Sequence, residues 1–214
     1  MRHWWKWGRK GLAAARGLSE AACADDPFLQ FERWFAEAQR CGLDYPEAMT
    51  LATADGDGRP AARMVLLKGH DEQGFRFFTN YESRKGQELG VNAHVALLFY
   101  WEPYERQVRI EGQVERLPAE ESYAYFKTRP RGSRIGAWAS AQSAPLASRA
   151  ELEAAVAEYT RKFKGRDIPL PPHWGGYRCI PATFEFWQGR LNRLHDRLCF
   201  ERTPGGWRRY RRAP

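Results

Sequence analysis

Long apolar segments and paired cysteines are both missing from this sequence. The longest uninterrupted apolar run, Val95 to Trp101, has seven residues, whereas a membrane-spanning helix needs about 20. The cysteines form no C-x-x-C pair and have no histidine at metal-ligand spacing, so neither a zinc site nor a disulfide framework is indicated. We therefore predict no membrane association and no metal site. We also predict four reduced cysteines that serve as packing residues, Cys23, Cys41, Cys179 and Cys199.

Acidic residues are missing from both ends of the chain. Residues 1–19 hold five basic groups and residues 202–214 hold five arginines, with no acid in either stretch. The net charge of +8 therefore comes from the ends, because the other 24 basic and 26 acidic groups leave the middle at −2. A DNA-binding surface would not be confined to two ends, so we predict solvated basic ends with some docking role and no nucleic-acid partner.

The first residues also lack the continuous apolar stretch of a secretory signal, and we expect a cytoplasmic protein. Residues 1–24 show no clear periodicity, and we predict a separate, partly mobile N-terminal segment there. The whole chain is 43% hydrophobic and 14% aromatic, which is enough to bury a sizeable core. We predict that residues 25–214 form a single domain.

An apolar stripe with a period of 3.6 residues predicts a first helix. Asp25 or Asp26 can cap it, Pro27 suits its first position, and Gly42 can end it. Further helices are predicted in a short stretch after Ser83, near 118–127, near 133–139 and near 148–163.

From residue 49 the period shortens to about two residues, which is typical of β-strands. The links Asp55-Gly56-Asp57-Gly58 and Asp71-Glu72-Gln73-Gly74 have the composition of hairpin turns. Many short strands with few helices favour an antiparallel β-barrel over alternating βαβ units. The predicted fold class is mainly β with peripheral helices (α+β). The strands are predicted near 49–54, 61–69, 75–80, 94–101, 106–117, 183–189, 193–202 and 206–212.

Two clusters of cations indicate anion binding. If residues 193–202 form a strand, Arg193, His195 and Arg197 share one face at intervals of about 6.6 Å. Their neighbours are core-like, and guanidinium groups in such a setting need partners such as phosphate; an exposed edge strand is the alternative. Arg84 and Lys85 would lie in the first turn of a helix, where free N–H groups already favour an anion. Simple surface exposure is the alternative for this second cluster.

Two other observations leave alternatives open. Arg63 and Lys68 bracket an apolar strand, and strict alternation puts them on opposite faces, so only a bend or bulge would let both serve one site. Gln107 lies on the polar face of a strand, which by itself indicates an exposed residue. The sequence contains no G-x-G-x-x-G, P-loop, H-E-x-x-H or G-x-S-x-G motif that would point to another chemistry.

A series of short blocks is far more specific than any single motif. The blocks are Arg63-Met64-Val65-Leu66-Leu67-Lys68, Phe78-Thr79-Asn80, Ser83-Arg84-Lys85-Gly86, Arg106-Gln107-Val108-Arg109, Ile135-Gly136-Ala137-Trp138, Gln142-Ser143, Trp174-Gly175-Gly176, Glu185-Phe186-Trp187-Gln188-Gly189 and Asn192-Arg193-Leu194-His195-Asp196-Arg197. Because these blocks occur in this order, the chain resembles the pyridoxine (pyridoxamine) 5′-phosphate oxidases, a family with an FMN-binding split antiparallel β-barrel. The resemblance extends from about Asp26 to Pro214.

The resemblance implies site residues at the matching positions. The implied FMN-binding residues are Arg63, Met64, Val65, Leu66, Phe78, Thr79, Arg84, Lys85, Gln107, Gln142, Ser143, Trp187 and Arg197. The implied substrate-binding residues are Lys68, Tyr125, Arg129, Ser133, Arg193, Leu194 and His195. Arg193 and His195 are the implied catalytic residues, which orient and polarise the substituent at C4′ of the substrate.

The resemblance also implies a homodimer with FMN at the subunit interface. The implied reaction, in vitamin B6 biosynthesis or salvage, oxidises pyridoxine or pyridoxamine 5′-phosphate to pyridoxal 5′-phosphate. Hydride passes from C4′ to the flavin, O₂ then reoxidises the flavin to give H₂O₂, and the amine substrate also releases ammonia. Two alternatives are a related flavin oxidase of the phenazine-biosynthesis type and a non-catalytic module. Such a module would carry flavin or pyridoxal phosphate, or bind RNA through the basic ends.

Overall fold

The computed structural model describes residues 17–214, and no helix among them is long and apolar enough to cross a membrane. The predictions for the basic N-terminal end and for a missing secretory signal concern mainly residues 1–16, which lie outside the described residues. Within the described part, Leu18 and Cys23 are buried and belong to the main core. The division of the chain at residue 24 stays a prediction.

The described strands form one antiparallel sheet that curls into a half-barrel, with helices at its periphery, as the predicted fold class requires. The strands are β1 (Ala48–Ala54), β2 (Pro60–Leu66), β3 (Gly69–Asp71), β4 (Gly74–Asn80), β5 (His94–Trp101), β6 (Arg106–Arg116), β7 (Trp174–Gln188), β8 (Asp196–Thr203) and β9 (Gly206–Arg211). Along the main path they follow the order β2-β1-β5-β6-β7-β4-β3, while β8 pairs with β7 and β9 pairs with β8.

Strand β7 is longer than predicted and changes its partner halfway. Its first part pairs with β4 and its last part with β8, while β6 runs along its other edge. The sequence predicts only the second part, because Gly175, Gly176 and Pro181 are typical turn residues. At Gly175 a Cβ atom would lie 2.1 Å from the hydroxyl oxygen of Tyr81. Any larger residue there would displace the Tyr81 ring, so this glycine reflects close packing in the strand and does not mark a turn.

The predicted helices are confirmed, and local capping explains where they begin. Asp26 Oδ1 accepts a hydrogen bond from the backbone N–H of Phe28 at 2.7 Å, and Ser83 Oγ accepts one from Gly86 at 3.3 Å. Such caps satisfy N–H groups that the first turn leaves free. The helices are α1 (Pro27–Arg40), α2 (Arg84–Val91), α3 (Ala119–Thr128), α4 (Arg131–Ala139) and α5 (Arg149–Lys162).

The main core lies between α1 and the curved sheet and is rich in aromatic rings. Phe31 of α1 is fully buried, and its ring centroid lies 4.8 Å from that of Phe75 and 5.1 Å from that of Phe99. A second cluster beneath α3, α4 and α5 contains Phe126 and Trp174. All four cysteines are free and buried, which confirms their predicted role as packing residues.

The segment before β8 departs from the prediction. Leu191–Arg193 forms a 3₁₀ turn in which Asn192 and Arg193 have φ angles of 56° and 61°, and β8 begins only at Asp196. The prediction that Arg193, His195 and Arg197 alternate on one strand is therefore wrong. The left-handed backbone at two consecutive residues ends the extended chain that alternation needs.

The basic C-terminal end is docked onto the rest of the chain, because several of its arginines are paired. Arg209 Nη1 lies 3.1 Å from Asp25 Oδ1, Arg211 Nε lies 2.9 Å from Glu20 Oε1, and Arg212 Nη1 lies 3.3 Å from Glu185 Oε2. These arginines belong to β9 and the residues just after it, and their acidic partners come from distant parts of the chain. The end is therefore a docked strand and not a free tail, which confirms the predicted docking role and the strand predicted near 206–212.

Candidate functional site

Many of the predicted site residues line one cavity of about 500 Å³ between β2, β4, α3 and α4. Its cationic side chains are Lys68, Lys85 and Arg129, and no Asp or Glu of the described chain lines it. Eleven of its lining residues were predicted, namely Met64, Val65, Leu66, Lys68, Phe78, Thr79, Lys85, Tyr125, Arg129, Ser133 and Gln142. A cavity with three cations and no lining acid favours an anionic ligand.

The end of β2 decides which of two cations faces this cavity. The strand stops at Leu66, and the backbone N–H of Lys68 instead donates to the carbonyl oxygen of Arg76 at 2.8 Å. Lys68 lines the cavity with Met64 and Leu66, whereas Arg63 does not. Arg63 instead forms an ion pair with Glu88, with Nη2 3.0 Å from Oε2. Within one described chain, the two cations therefore do not serve one cavity.

Aromatic rings form one wall of the cavity. The rings of Phe78 and Tyr125 stack at 4.0 Å between centroids, and the ring of Trp174 stacks on Phe78 at 5.5 Å. Arg129 directly follows the last residue of α3, and its side chain lines the cavity together with that of Tyr125. The Arg129 guanidinium carbon lies 4.6 Å from the centroid of Trp174. The wall therefore holds a cation against an aromatic face.

Arg129 has an unsatisfied hydrogen-bond donor in this wall. Its Nη1 atom is buried and has no hydrogen-bond partner among residues 17–214, and burial lowers the pKa of the guanidinium. A buried donor without a partner costs about 1–3 kcal/mol. An anion in the cavity would provide the missing acceptor, and phosphate matches the geometry of a guanidinium group.

Lys85 and Gln142 form a second polar group in the same cavity. Lys85 Nζ donates to Gln142 Oε1 at 3.0 Å, and Thr79 Oγ1 donates to the same oxygen at 3.3 Å. Burial lowers the pKa of Lys85, and the charge of Arg63 lowers it further. Ser83, which caps α2, lies 3.4 Å from Lys85 Nζ. The predicted grouping of Lys85 with a helix N-terminus is therefore present.

Other predicted residues lie in a smaller cavity of about 290 Å³ at the C-terminal side. Gln107, Trp187 and Arg197 line it together with Glu185. Arg197 Nη2 lies 2.7 Å from Glu185 Oε2, while its buried Nε has no hydrogen-bond partner within the described part of the chain.

The side chain of His195 lies beside this group. Its ring centroid is 4.6 Å from that of Trp187, and its Nδ1 atom accepts a hydrogen bond from the backbone N–H of Arg190 at 3.1 Å. A neutral imidazole that accepts at Nδ1 carries its proton at Nε2. His195 can therefore donate a hydrogen bond from Nε2.

The rest of the predicted set lies apart from these two cavities. Arg193 and Leu194 are exposed on the turn before β8, and Arg84 and Ser143 line a third cavity of about 430 Å³, which shares Gln142 with the main cavity. One chain therefore distributes the predicted residues over several places. The sequence assigned no role to Trp174 or Glu88. The one signal for Glu88 is that it follows Arg84 by four residues, which is the spacing of an ion pair on a helix.

Comparison with known families gives matches over most of the chain. Residues 35–163 match the family described as pyridoxamine 5′-phosphate oxidase. Residues 174–214 match the pyridoxine 5′-phosphate oxidase C-terminal dimerisation region.

Two curated relatives are named pyridoxine/pyridoxamine 5′-phosphate oxidase. The relative from Rubrobacter xylanophilus is 58% identical over 212 residues, covering 96% of this chain and 98% of its own length. The relative from Cupriavidus necator is 59% identical over 198 residues, covering 92% and 93%.

Two solved structures have similar folds. PhzG from Burkholderia lata, in complex with tetrahydrophenazine-1-carboxylic acid, has a TM-score of 0.84 and is 34% identical, covering 89% of this chain and 94% of its own. A pyridoxamine 5′-phosphate oxidase-related, FMN-binding protein from Nostoc punctiforme has a TM-score of 0.70, is 17% identical, and covers 89% of this chain and 100% of its own. At that identity, the second likeness bears on the fold alone.

Proposed function

Because this chain belongs to the pyridoxamine 5′-phosphate oxidase family, we propose that it oxidises pyridoxine or pyridoxamine 5′-phosphate to pyridoxal 5′-phosphate with FMN and O₂. The observation that carries the proposal is the buried Nη1 atom of Arg129, which has no hydrogen-bond partner among residues 17–214 and lies in a cavity that no acid of those residues lines. A phosphate ester on the substrate would complete that hydrogen bond. Lys68, Tyr125 and Ser133 of the same cavity are suited to hold the same molecule.

The remaining polar groups fit FMN. Arg63, Arg84, Lys85 and Thr79 offer cationic and hydroxyl donors of the kind that bind phosphate esters, and Gln142 connects Lys85 with Thr79. When bound, FMN supplies the hydride acceptor and passes the electrons to O₂. The task of the chain is to bind and orient the reactants, which by itself removes several kcal/mol of the barrier, of the order of 7 or more in the best cases.

The separation of the predicted residues supports a site shared between two subunits. Gln107, Trp187, Arg197 and His195 lie in or beside one cavity, while Lys68, Lys85 and Arg129 line another. The chain carries the family's C-terminal dimerisation region at residues 174–214, which includes β7, β8 and β9. We therefore assign the C-terminal group of one protomer to the site formed by the main cavity of its partner.

Within that site, the residues divide the work by chemistry. Arg129 holds the substrate phosphate, and the rings of Phe78, Tyr125 and Trp174 exclude water from it. His195 holds a proton at Nε2 and donates a hydrogen bond to the substituent at C4′, while Arg193 fixes the orientation of that substituent. The reduced, buried cysteines support a cytoplasmic location.

An oxygen-consumption assay with purified protein and FMN tests the proposal. Pyridoxine 5′-phosphate and pyridoxamine 5′-phosphate are each compared with the dephosphorylated vitamer and with tetrahydrophenazine-1-carboxylic acid, the compound bound in the PhzG structure. We expect consumption of O₂ and formation of H₂O₂ with the phosphorylated vitamers, a much lower kcat/KM for the dephosphorylated ones, and no turnover of the phenazine compound. Turnover of the phenazine compound in their place would assign the chain to the second type of oxidase, and turnover of none would support a non-catalytic module.

A further inference from the structure

A buried carboxylate lies beneath the proposed FMN phosphate site. Glu88 of α2 is 5% exposed and accepts hydrogen bonds from three side chains. Thr53 Oγ1 donates to Oε2 at 2.5 Å, Arg63 Nη2 donates to Oε2 at 3.0 Å, and Arg84 Nε donates to Oε1 at 2.8 Å. One carboxylate therefore holds two guanidinium groups that come from separate elements, β2 and the first turn of α2.

The two arginines keep different numbers of free donors. Arg63 is tied down further, because its Nη1 donates to the carbonyl oxygen of Leu51 at 3.2 Å and to Thr53 Oγ1 at 2.5 Å. Arg84 uses only Nε within residues 17–214, so both of its Nη atoms are free for a ligand. Arg84 is also 65% exposed at the side chain. Without Glu88, the Arg84 side chain would rotate freely, and fixing it for a ligand would cost conformational entropy.

We propose that Glu88 is a positioning residue that fixes Arg63 and Arg84 for the FMN phosphate, an inference that rests on the proposed function. Among residues 17–214, the hydrogen bonds to the Glu88 carboxylate all come from the two guanidinium groups and from Thr53, which bridges Arg63 and Glu88. Its charge also acts on Lys85: burial and Arg63 lower the pKa of that ammonium group, and Glu88 opposes them. Glu88 thus serves all three cations that the proposed phosphate site uses.

Simple electrostatics predicts the opposite effect, which makes the proposal testable. A negative charge close to a phosphate repels it, so removal of the charge alone would strengthen FMN binding. If Glu88 instead acts by positioning, its removal weakens FMN binding in spite of the added net positive charge. The phosphate-free analogue riboflavin separates either effect from a general loss of structure.

The variant Glu88→Gln keeps the shape of the side chain and removes its charge. Binding of FMN and riboflavin to flavin-free protein is measured by quenching of flavin fluorescence. We expect the Kd for FMN to rise about tenfold, which corresponds to one charge-assisted hydrogen bond, while the Kd for riboflavin changes less than about twofold. An unchanged or lower Kd for FMN, or an equal loss for both flavins, would overturn the positioning role.

A matched control is available on α5. Arg149 and Glu153 form an exposed pair with the same spacing of four residues, with Nε 3.0 Å from Oε1, so Glu153→Gln should leave both Kd values unchanged. If Glu88→Gln is insoluble, Thr53→Val removes the hydroxyl that bridges Arg63 and Glu88 without a change of charge. It should also weaken FMN binding more than riboflavin binding, and equal effects would contradict the inference. Wild-type protein that binds neither flavin would overturn the proposed function itself.

Discussion

Replacing Arg129 with methionine should move stability and substrate affinity in opposite directions. In the ligand-free protein the guanidinium group is half-buried and its Nη1 atom has no partner within the described residues. Methionine has a similar length, has no donor to satisfy, and can keep contact with the ring of Trp174. The ligand-free protein therefore gains from the change, while a phosphorylated substrate loses the group that we propose binds it.

The sizes of both effects can be worked out from these contacts. Relief of one buried unsatisfied donor is worth about 1–3 kcal/mol. The lost cation–π contact with Trp174 costs about 0.5–1 kcal/mol, and a sulfur–aromatic contact returns about 0.3–1.5 kcal/mol. The free energy of unfolding should therefore rise by about 1 kcal/mol, and the Tm by roughly 2–4 °C for a chain of this size.

The loss for the substrate is larger than the gain in stability. Truncating one partner of a buried, hydrogen-bonded charge pair costs about 2–5 kcal/mol. We therefore expect kcat/KM for pyridoxine 5′-phosphate to fall by roughly 30-fold to several thousand-fold. The dephosphorylated vitamer has no phosphate to lose, so its kcat/KM should stay within about twofold of the wild-type value.

The assay combines thermal unfolding of the flavin-free protein with steady-state O₂ consumption. Lys127→Met is the control. It also removes one positive charge, but Lys127 lies two residues before Arg129, is exposed, and does not line the cavity. It should change neither quantity appreciably. A lower Tm for Arg129→Met, or equal losses of kcat/KM for the phosphorylated and dephosphorylated substrates, would refute the reasoning.

Two further predictions concern His195 and Cys179. Replacing His195 with Asn should lower kcat on the order of a hundredfold and leave the Kd for FMN unchanged; unaltered kcat and KM would remove the proposed proton-donating role. Burial raises the pKa of the Cys179 thiol from 9.0 to about 12, so the folded state holds this proton more tightly than the unfolded state. The protonated Cys179 thiol therefore makes its full contribution to the free energy of unfolding below pH 9, and this contribution is lost as the pH rises towards 12. Urea midpoints should therefore fall less steeply above pH 9 for Cys179→Ala than for wild type, and parallel pH profiles would contradict this.

Local sequence signals predict the helices and hairpins correctly. Asp26 and Ser83 cap helices through backbone N–H groups two or three residues away, and the Asp-Gly link at residues 55–58 joins β1 to β2 as predicted. These structures depend on residues close together in the chain, which the sequence shows directly. The first part of β7 was missed because glycine at close strand contacts has the same sequence signal as glycine in a turn.

The candidate site was predictable only in part. The resemblance placed eleven residues that the structure brings to one cavity, but it gave no role to Trp174, whose ring supports Arg129. It also missed Glu88, because the sequence shows its spacing from Arg84 but not its contact with Arg63, 25 residues away. The predicted alternation of side chains along a strand from Arg193 was wrong, because Asn192 and Arg193 adopt left-handed backbone conformations.

By itself the sequence determined the helices, most of the strands, the mainly β class and the presence of cations that need anions. Tertiary structure decided which cations are already neutralised. Arg197 forms an ion pair with Glu185, and Arg211 forms one with Glu20. Nη1 of Arg129, in contrast, has no hydrogen-bond partner within the described chain. The physical reason is the distance along the chain between the residues that interact. Helix caps and turns involve residues within a few positions, but the partner of a charge is set by how distant strands fold together.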